Sequence, residues 1–384
     1  MIERKLKIDN STDSVFLWGA RQTGKSTLLT QRFPEARYYD LLESDLYERF
    51  RRQPSLLRSE LSMVDSNTLV IIDEIQKIPE LLDEVHWLIS RRNMRFILSG
   101  SSARKLRRCG ANLLGGRAIR QQLFPFVSAE IPDFSLSRAI NNGMLPRHYL
   151  IENPTKRLQA YVGDYLREEI KEEALTRNIA SFSKFLETAA INDGEILNYN
   201  NIATDCGVSA PTVKEYFSIL EETLLGYTLP AYTKTVKRRV IQAPKFYIFD
   251  IGIVNYLTHR KNLQQGSVDY GHALEHLMLQ ETLAYLSYTE SDLQMAYWRT
   301  ASGFEVDIII FDPYSHEIRY AIEIKSCKEV QNRHLKGLRA LREEHPQSHL
   351  LCISHDVFPR MTEDGIEIWP VEEFLKELWD GNLF

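Results

Sequence analysis

Cysteine is scarce: only Cys109, Cys206, Cys327 and Cys352 occur in 384 residues, none at paired spacing. That argues against a disulfide framework and a zinc site, and it suits a reducing compartment. No apolar run approaches the roughly 18–20 residues needed to span a bilayer. The N-terminal stretch MIERKLKIDN is polar and has no apolar core, unlike a secretory signal. A cytoplasmic protein without a membrane partner is the expectation. There is no basic excess either: 47 Lys and Arg stand against 52 Asp and Glu, for a net charge of −5. Contact with nucleic acid therefore needs a local basic patch, because counterion release depends on local cations. What remains is ordinary globular composition, 43% hydrophobic and 26% charged, in a length that suits two to three domains.

The N-terminal segment carries the most specific pattern. The apolar run Ser14-Val15-Phe16-Leu17-Trp18 leads into Gly19-Ala20-Arg21-Gln22-Thr23-Gly24-Lys25-Ser26-Thr27 and then into Leu28-Leu29. This is a complete G-x-x-x-x-G-K-[ST] loop between a strand and a helix start. Gly19 and Gly24 let the backbone curl so that its N–H groups face a β-phosphate. Lys25 reaches the β- and γ-phosphates, and the Ser26 hydroxyl is placed to ligate Mg²⁺. Residues Gly19 to Thr27 are thus the expected nucleotide-binding set.

Four apolar residues, Leu69-Val70-Ile71-Ile72, precede Asp73-Glu74 and predict a strand buried on both faces. Asp73 suits a contact to Mg²⁺, and Glu74 suits the base that polarises an attacking water. The strand-like Ala36–Leu42 lies between these two strands in sequence. That order marks the additional-strand, catalytic-glutamate class, so ATP is expected rather than GTP, and no N-K-x-D motif is evident. After a helix over Glu80–Arg92, the strand Arg95–Leu98 ends in Ser99-Gly100-Ser101-Ser102, at the edge where such sheets bind ligands. Ser99 or Ser101 is a candidate contact to the γ-phosphate or the water, and plain turn chemistry is the alternative. Arg117, after Gly115-Gly116, is a candidate for neutralising transition-state charge, against the alternative of a solvated loop.

Gly19–Thr27, Ile72–Pro79 (Ile-Asp-Glu-Ile-Gln-Lys-Ile-Pro), Leu98–Ser102, Gly116-Arg117 and Leu123-Phe124-Pro125-Phe126 together resemble one prokaryotic family of AAA-type P-loop ATPases. In that family the C-terminal half is classed as a domain of unknown function. The resemblance runs over essentially the whole chain and implies ATP binding, while saying little of biological role.

The stretch from Pro146 to about Ala190 is charged and helical in pattern, including Tyr165–Ile170. Asn200–Ser209 and Ala210–Glu221 then read as a helix-turn-helix, the second helix capped by Ser209 with Pro211 in its first turn. Leu225–Leu229 and Arg239–Ile241 predict a hairpin wing, and Lys234, Lys237, Arg238 and Arg239 form a local basic patch. With Lys214 on the second helix they are candidate DNA contacts. A winged helix used only for packing stays open, because Glu215 offsets Lys214.

Farther on, Gly271–Gln280 reads as a helix, and strands come next near Met295–Arg299, over Gly303–Phe311 and over Tyr320–Ser326. Asp307 on one strand and Glu323-Ile324-Lys325 on the next is the pattern of PD-(D/E)xK nucleases. Glu323 and Lys325 are two apart and share a strand face. Two carboxylates sharing Mg²⁺ or Mn²⁺ beside a lysine suit phosphodiester cleavage, with Glu275 completing the site and Glu305 as an alternate ligand. An amphipathic sheet without activity is the other reading. His272 and His276, four apart, read as a helix-surface pair.

The expected organisation is an AAA-type parallel α/β sheet over 1–145 and a helical connector over 146–190. A winged helix-turn-helix over 191–262 and a PD-(D/E)xK restriction-endonuclease-like α/β domain over 263–384 complete it. ATP, Mg²⁺, DNA and a homo-oligomeric assembly are the expected partners. The alternative is a nucleotide-dependent switch whose C-terminal domain only binds a partner.

Overall fold

The computed structural model describes residues 2–9, 13–102, 104, 114–166, 179–233 and 243–384. Two compact units emerge: Glu3–Phe126 with Ile219–Leu225, and Val127–Ser218 with Gly226–Phe384.

The first unit is built on strands β1 (Ser14–Trp18), β2 (Arg37–Asp40), β3 (Leu69–Asp73), β4 (Arg95–Gly100) and β5 (Ala118–Gln122). They lie in the order β2-β3-β4-β1-β5, every neighbouring pair parallel. Parallel neighbours need crossovers, which helices supply: α1 (Lys25–Arg32), α2 (Ser44–Arg52), α3 (Leu56–Leu61) and α4 (Leu81–Arg92). The central strands read as near-continuous apolar runs because helices cover both faces; Val70, Ile71, Ile72, Phe96, Ile97 and Leu98 are all buried. Strand β4 sits between β1 and β3, so the strand bearing Asp73 is not adjacent to the one leading into Gly19. This α/β parallel sheet is consistent with a P-loop NTPase, with one strand more between the two motifs.

In the second unit, α5 (Leu136–Asn142), α6 (Pro146–Tyr149), α7 (Thr155–Ala160) and α8 (Ile179–Ile191) lead to α9 (Tyr199–Cys206) and α10 (Ala210–Glu222). Gly207, in the left-handed region, ends α9, and the Ser209 hydroxyl accepts from the Thr212 amide to cap α10. The strand β6 (Gly226–Leu229) pairs antiparallel with β7 (Lys245–Ile248). The expected wing partner at Arg239–Ile241 lies outside the described residues, as do Lys234, Lys237 and Arg238; it is Lys245–Ile248 that hydrogen-bonds to β6. Part of the expected helix Tyr165–Ile170 and Cys109 also fall outside.

The remainder folds around α11 (Ile251–Leu257), the long α12 (Val268–Tyr288) and a six-stranded sheet. Its strands are β8 (Gln294–Arg299), β9 (Glu305–Phe311), β10 (Ile318–Ile324), β11 (His349–Ser354), β12 (Arg360–Met361) and β13 (Glu367–Pro370), ordered β12-β13-β11-β10-β9-β8. β8, β9 and β10 form an antiparallel meander, whereas β10 pairs parallel with β11. The helix α13 (Lys336–Glu344) makes that crossover, and α14 (Val371–Asp380) closes the chain. His276 is not on a helix surface. Its side chain is fully buried and its Nδ1 meets Asp193 Oδ2 at 2.7 Å, because α12 is enclosed along much of its length rather than amphipathic. Among the described residues no helix is long and apolar enough to cross a membrane.

Candidate functional site

At the C-terminal edge of the parallel sheet the Gly19–Thr27 loop turns into α1. Gly19 is required by close approach: a Cβ there would stand 2.6 Å from the Leu123 carbonyl oxygen. Gly24 is required by conformation, with φ +97. Gln22 also takes the left-handed region, at φ 64. The Lys25 ammonium folds over the loop and donates to the carbonyls of Gly19 at 2.7 Å and Ala20 at 3.2 Å. Thr23 Oγ1 donates to Ala20 O at 2.8 Å, and Arg4 braces the loop from behind through Thr23 O at 2.6 Å and Phe124 O at 2.7 Å. Among the described residues no side chain caps α1. Its first-turn amides and its positive dipole end are therefore aimed where an anion would lie.

Asp73 is the hub of the opposite wall. Its Oδ2 accepts from Ser26 Oγ at 2.5 Å and from Tyr38 OH at 2.6 Å, and its Oδ1 accepts from Ser99 Oγ and from the Glu74 amide. Burial, followed by the Asp73 carboxylate, pushes the Tyr38 phenol well above its ordinary range, so it is a fixed donor. Ser26 and Asp73 are hard oxygen donors in contact, with an uncapped helix end beside them; the residues present fit a magnesium ion carrying a phosphate.

Glu74 sits next along with φ 58 and ψ 41. A left-handed, non-glycine, acidic residue is uncommon, and such backbone is retained where a site fixes a side chain. Gln76, in the 3₁₀ turn Ile75–Lys77, donates its amide to Glu74 Oε2 and to Ser101 Oγ at 3.2 Å. Thus Lys25, Ser26, Asp73, Glu74 and Ser101 line one sheet edge, whereas Arg117 is exposed in the turn before β5. Sequence reading missed Tyr38, Gln76 and Arg4. The Gln two residues after Glu74 was visible in the motif; Arg4 and Tyr38 gave no local signal.

A second cluster forms in the other unit. The antiparallel register pairs Ile322 with Ile308 and Ala321 with Ile309, and its continuation sets Glu323 opposite Asp307. Lys325 Nζ pairs with Glu323 Oε1 and lies 3.9 Å from Asp307 Oδ2, which also accepts from the Ile324 amide at 2.7 Å. Burial raises the Asp307 carboxyl, and nearby Glu275 raises it further, against Lys325. Burial and then Asp307 push Glu323 well up. Among the described residues Glu323 Oε2 is buried without a hydrogen-bond partner.

Glu275 faces the same cluster, but Tyr247 OH at 2.7 Å and Lys245 Nζ at 3.3 Å hold its Oε1. Lys245 also pairs with Glu305 Oε1 at 2.7 Å. Burial opposes its charge, and the carboxylates of Glu275, Asp307 and Glu305 outweigh that, so its affinity for the proton rises. Among the described residues no three acidic, histidine or cysteine side chains stand together as metal ligands. Lys245 was not foreseen, because it arrives from a strand about 60 residues earlier than Asp307. Of the expected DNA contacts only Lys214 is described; it is exposed on α10 with its ammonium over the Tyr199 ring at 5.1 Å.

Comparison with known proteins divides the chain into three matches. The family model described as an AAA domain matches residues 11–131. Two domains of unknown function match the rest, DUF8612 over 133–264 and DUF4143 over 270–374. The chain thus carries a P-loop ATPase-like AAA domain and a C-terminal DUF4143 domain. An uncharacterized protein of Mycobacterium tuberculosis and one of Mycobacterium bovis are each 25% identical over 319 residues, covering 79% of this chain and 70% of theirs. An uncharacterized protein of Methanocaldococcus jannaschii is 22% identical over 394 residues, covering 87% and 80%. Among solved structures, a signal transduction ATPase with numerous domains and a tetratricopeptide repeat sensor, from Pyrococcus horikoshii, is 14% identical with a TM-score of 0.23. That likeness covers 75% of this chain and about half, 49%, of the other protein, and a TM-score so low carries no functional weight.

Proposed function

We propose that the protein is a magnesium-dependent ATPase that couples its nucleotide state to the DNA-associated part of the chain. The observation that carries the ATPase reading is the Asp73 hub. One buried carboxylate is held by Ser26, Tyr38 and Ser99, beside the uncapped N-terminus of α1, with Glu74 next in the chain. Loop amides and Lys25 would bind the phosphates, while Ser26 and Asp73 would hold Mg²⁺. When bound, that ion neutralises charge on the β- and γ-phosphate oxygens. The Glu74 carboxylate takes a proton from water as the water oxygen forms its bond to the γ-phosphorus. The bond from that phosphorus to the bridging oxygen breaks, and ADP leaves with both electrons.

Calorimetric titration with ATP and magnesium, and phosphate release with time, test this. Lys25→Ala should lose binding. Glu74→Gln should bind yet not turn over, as expected for a base removed from a formed site. Wild-type protein with no affinity for magnesium–ATP would end the reading.

A second reading concerns the C-terminal cluster, favoured by the meeting of Asp307, Glu323 and Lys325. As a PD-(D/E)xK-like site it would cut a phosphodiester with Mg²⁺ or Mn²⁺, the winged helix-turn-helix contacting DNA through Lys214 and the Lys234–Arg239 stretch. Cleavage of DNA by wild type and not by Asp307→Ala supports it. No cleavage with either metal, with or without ATP, favours the alternative, a nucleotide switch whose C-terminal domain binds a partner.

A further inference from the structure

Gln76 joins two parts of the candidate ATPase site through its side chain. Its side chain is 5% exposed. One amide nitrogen reaches both Glu74 Oε2 and Ser101 Oγ, so it ties the carboxylate after β3 to the tip of β4. The orientation of the amide is not arbitrary. Turned over, it would set Oε1 against an ionised carboxylate, and like partial charges repel. As placed, Oε1 lies against Gly100, where a Cβ would come within 2.5 Å of it, and among the described residues it has no hydrogen-bond partner. A buried acceptor left unsatisfied is costly and is tolerated where something else fixes the group. Here the fixing element is the Glu74 carboxylate itself. The glycine at position 100 is the matching concession: a side chain there would expel the amide from its place. The unusual backbone of Glu74, φ 58, turns its carboxylate toward this amide rather than along the strand.

We propose that Gln76 is a positioning residue for Glu74, holding Oε2 so that Oε1 is the oxygen presented to the attacking water. Its second bond, to Ser101, makes that orientation responsive to whatever Ser101 touches, which on the ATPase reading is the γ-phosphate or the water. This rests on that reading and adds to it a residue and a route. Occupancy at the strand tip is transmitted to the base through one amide group.

The test compares wild type with Gln76→Ala, Gln76→Asn, Gln76→Glu and Ser101→Ala, each measured for binding of a fluorescent ATP analogue and for turnover against pH. For Gln76→Ala, binding should stay within about threefold while kcat falls at least about tenfold, because Glu74 is no longer held in place. Gln76→Glu removes the donor and sets a second carboxylate against Glu74, so it should lose turnover at least as far as alanine. Gln76→Asn, one methylene short, should lose turnover like alanine. Adding Ser101→Ala to Gln76→Ala should cost less than the sum of the two single losses, because they share one route. Nucleotide binding reports that each variant is folded. Turnover unchanged in Gln76→Ala, with Glu74→Gln inactive, overturns the proposal and leaves the ATPase reading standing. Wild type with no Lys25-dependent turnover overturns both.

Discussion

Replacing Lys245 by methionine keeps the length of the side chain and removes its charge. The residue is 4% exposed, and its ammonium lies 3.3 Å from Glu275 and 2.7 Å from Glu305. Deleting one partner of a buried ion pair costs about 3–5 kcal/mol, since the other charge is left in low dielectric. Here the penalty is softened. The side chains of Glu275 and Glu305 keep 20% and 29% exposure, Tyr247 still donates to Glu275, and Arg299 stands 3.5 Å from Glu305. The expected loss is therefore about 2–3 kcal/mol, just below that range. The readout is native-state hydrogen exchange of the full chain, monitoring the amides of β9 and β10. Their slowest exchange should accelerate about 30- to 150-fold, the same free energy expressed as an opening equilibrium. Adding Glu275→Gln and Glu305→Gln should restore at least half of the protection, because the orphaned charges are then gone. Unchanged protection in Lys245→Met would refute the reasoning, as would a triple variant worse than the single one.

The same geometry has other consequences. Gly100→Ala places a methyl 2.5 Å from Gln76 Oε1 and 2.8 Å from the Trp18 ring; overpacking of that kind costs about 1–3 kcal/mol, seen as a lower denaturation midpoint together with reduced turnover. Burial lowers the affinity of His276 for its proton, but Asp193 beside it and then Asp250 and Glu275 more than reverse that, so the net shift is upward from 6.5. The stability this supplies is whole below pH 6.5 and is lost as pH rises through the folded-state value. Urea midpoints from about pH 5 to 9 should therefore fall less steeply in His276→Asn than in wild type. Lys25→Ala should abolish the rise in melting temperature that magnesium–ATP gives the wild type, since ligand binding to the native state alone is what raises it.

The parallel sheet was legible because its evidence is local. A buried strand, a glycine-bounded loop and a helix start are adjacent in sequence, and Leu69–Ile72 announces a central strand by being apolar throughout. The face shared by Glu323 and Lys325 was legible for the same reason, a period of two. What was not legible depends on contacts between distant segments. Tyr38 meets Asp73 only because β2 pairs with β3, and Lys245 meets Glu275 only because β7 packs beside α12. The pairing of β6 with Lys245–Ile248 was not legible either, because those four residues are all buried and show no alternation. His276 looked solvated beside His272, since a helix enclosed along much of its length shows no clean polar face to mark which histidine points inward. The left-handed backbone of Glu74 could not be foreseen, because glutamate carries no signal for it.

The charge count around Asp307 bears on whether the second cluster is a metal site or a structural one. Glu275, Glu305, Asp307 and Glu323 face Lys245 and Lys325, and Arg299, 46% exposed and 3.5 Å from Glu305, is too solvated to count fully. Four ionised carboxylates against two lysines leave two negative charges. In the absence of a divalent cation the cheapest relief is proton uptake, which is the direction in which Asp307 and Glu323 are both pushed. Raised carboxylates bind more protons folded than unfolded, so stability falls as pH climbs above their ordinary values. A divalent cation between Asp307 and Glu323, reached by the unpartnered Oε2 of Glu323, would supply the missing two charges and reverse that slope. Manganese at about 100 times its dissociation constant would then stabilise the native chain by about 2.7 kcal/mol at neutral pH, and by much less near pH ~5, where protons compete. Asp307→Asn and Glu323→Gln should each remove the effect. Manganese that leaves the wild-type melting temperature unmoved at both pH values would mean that the lysines alone balance the cluster, and that its carboxylates serve the fold.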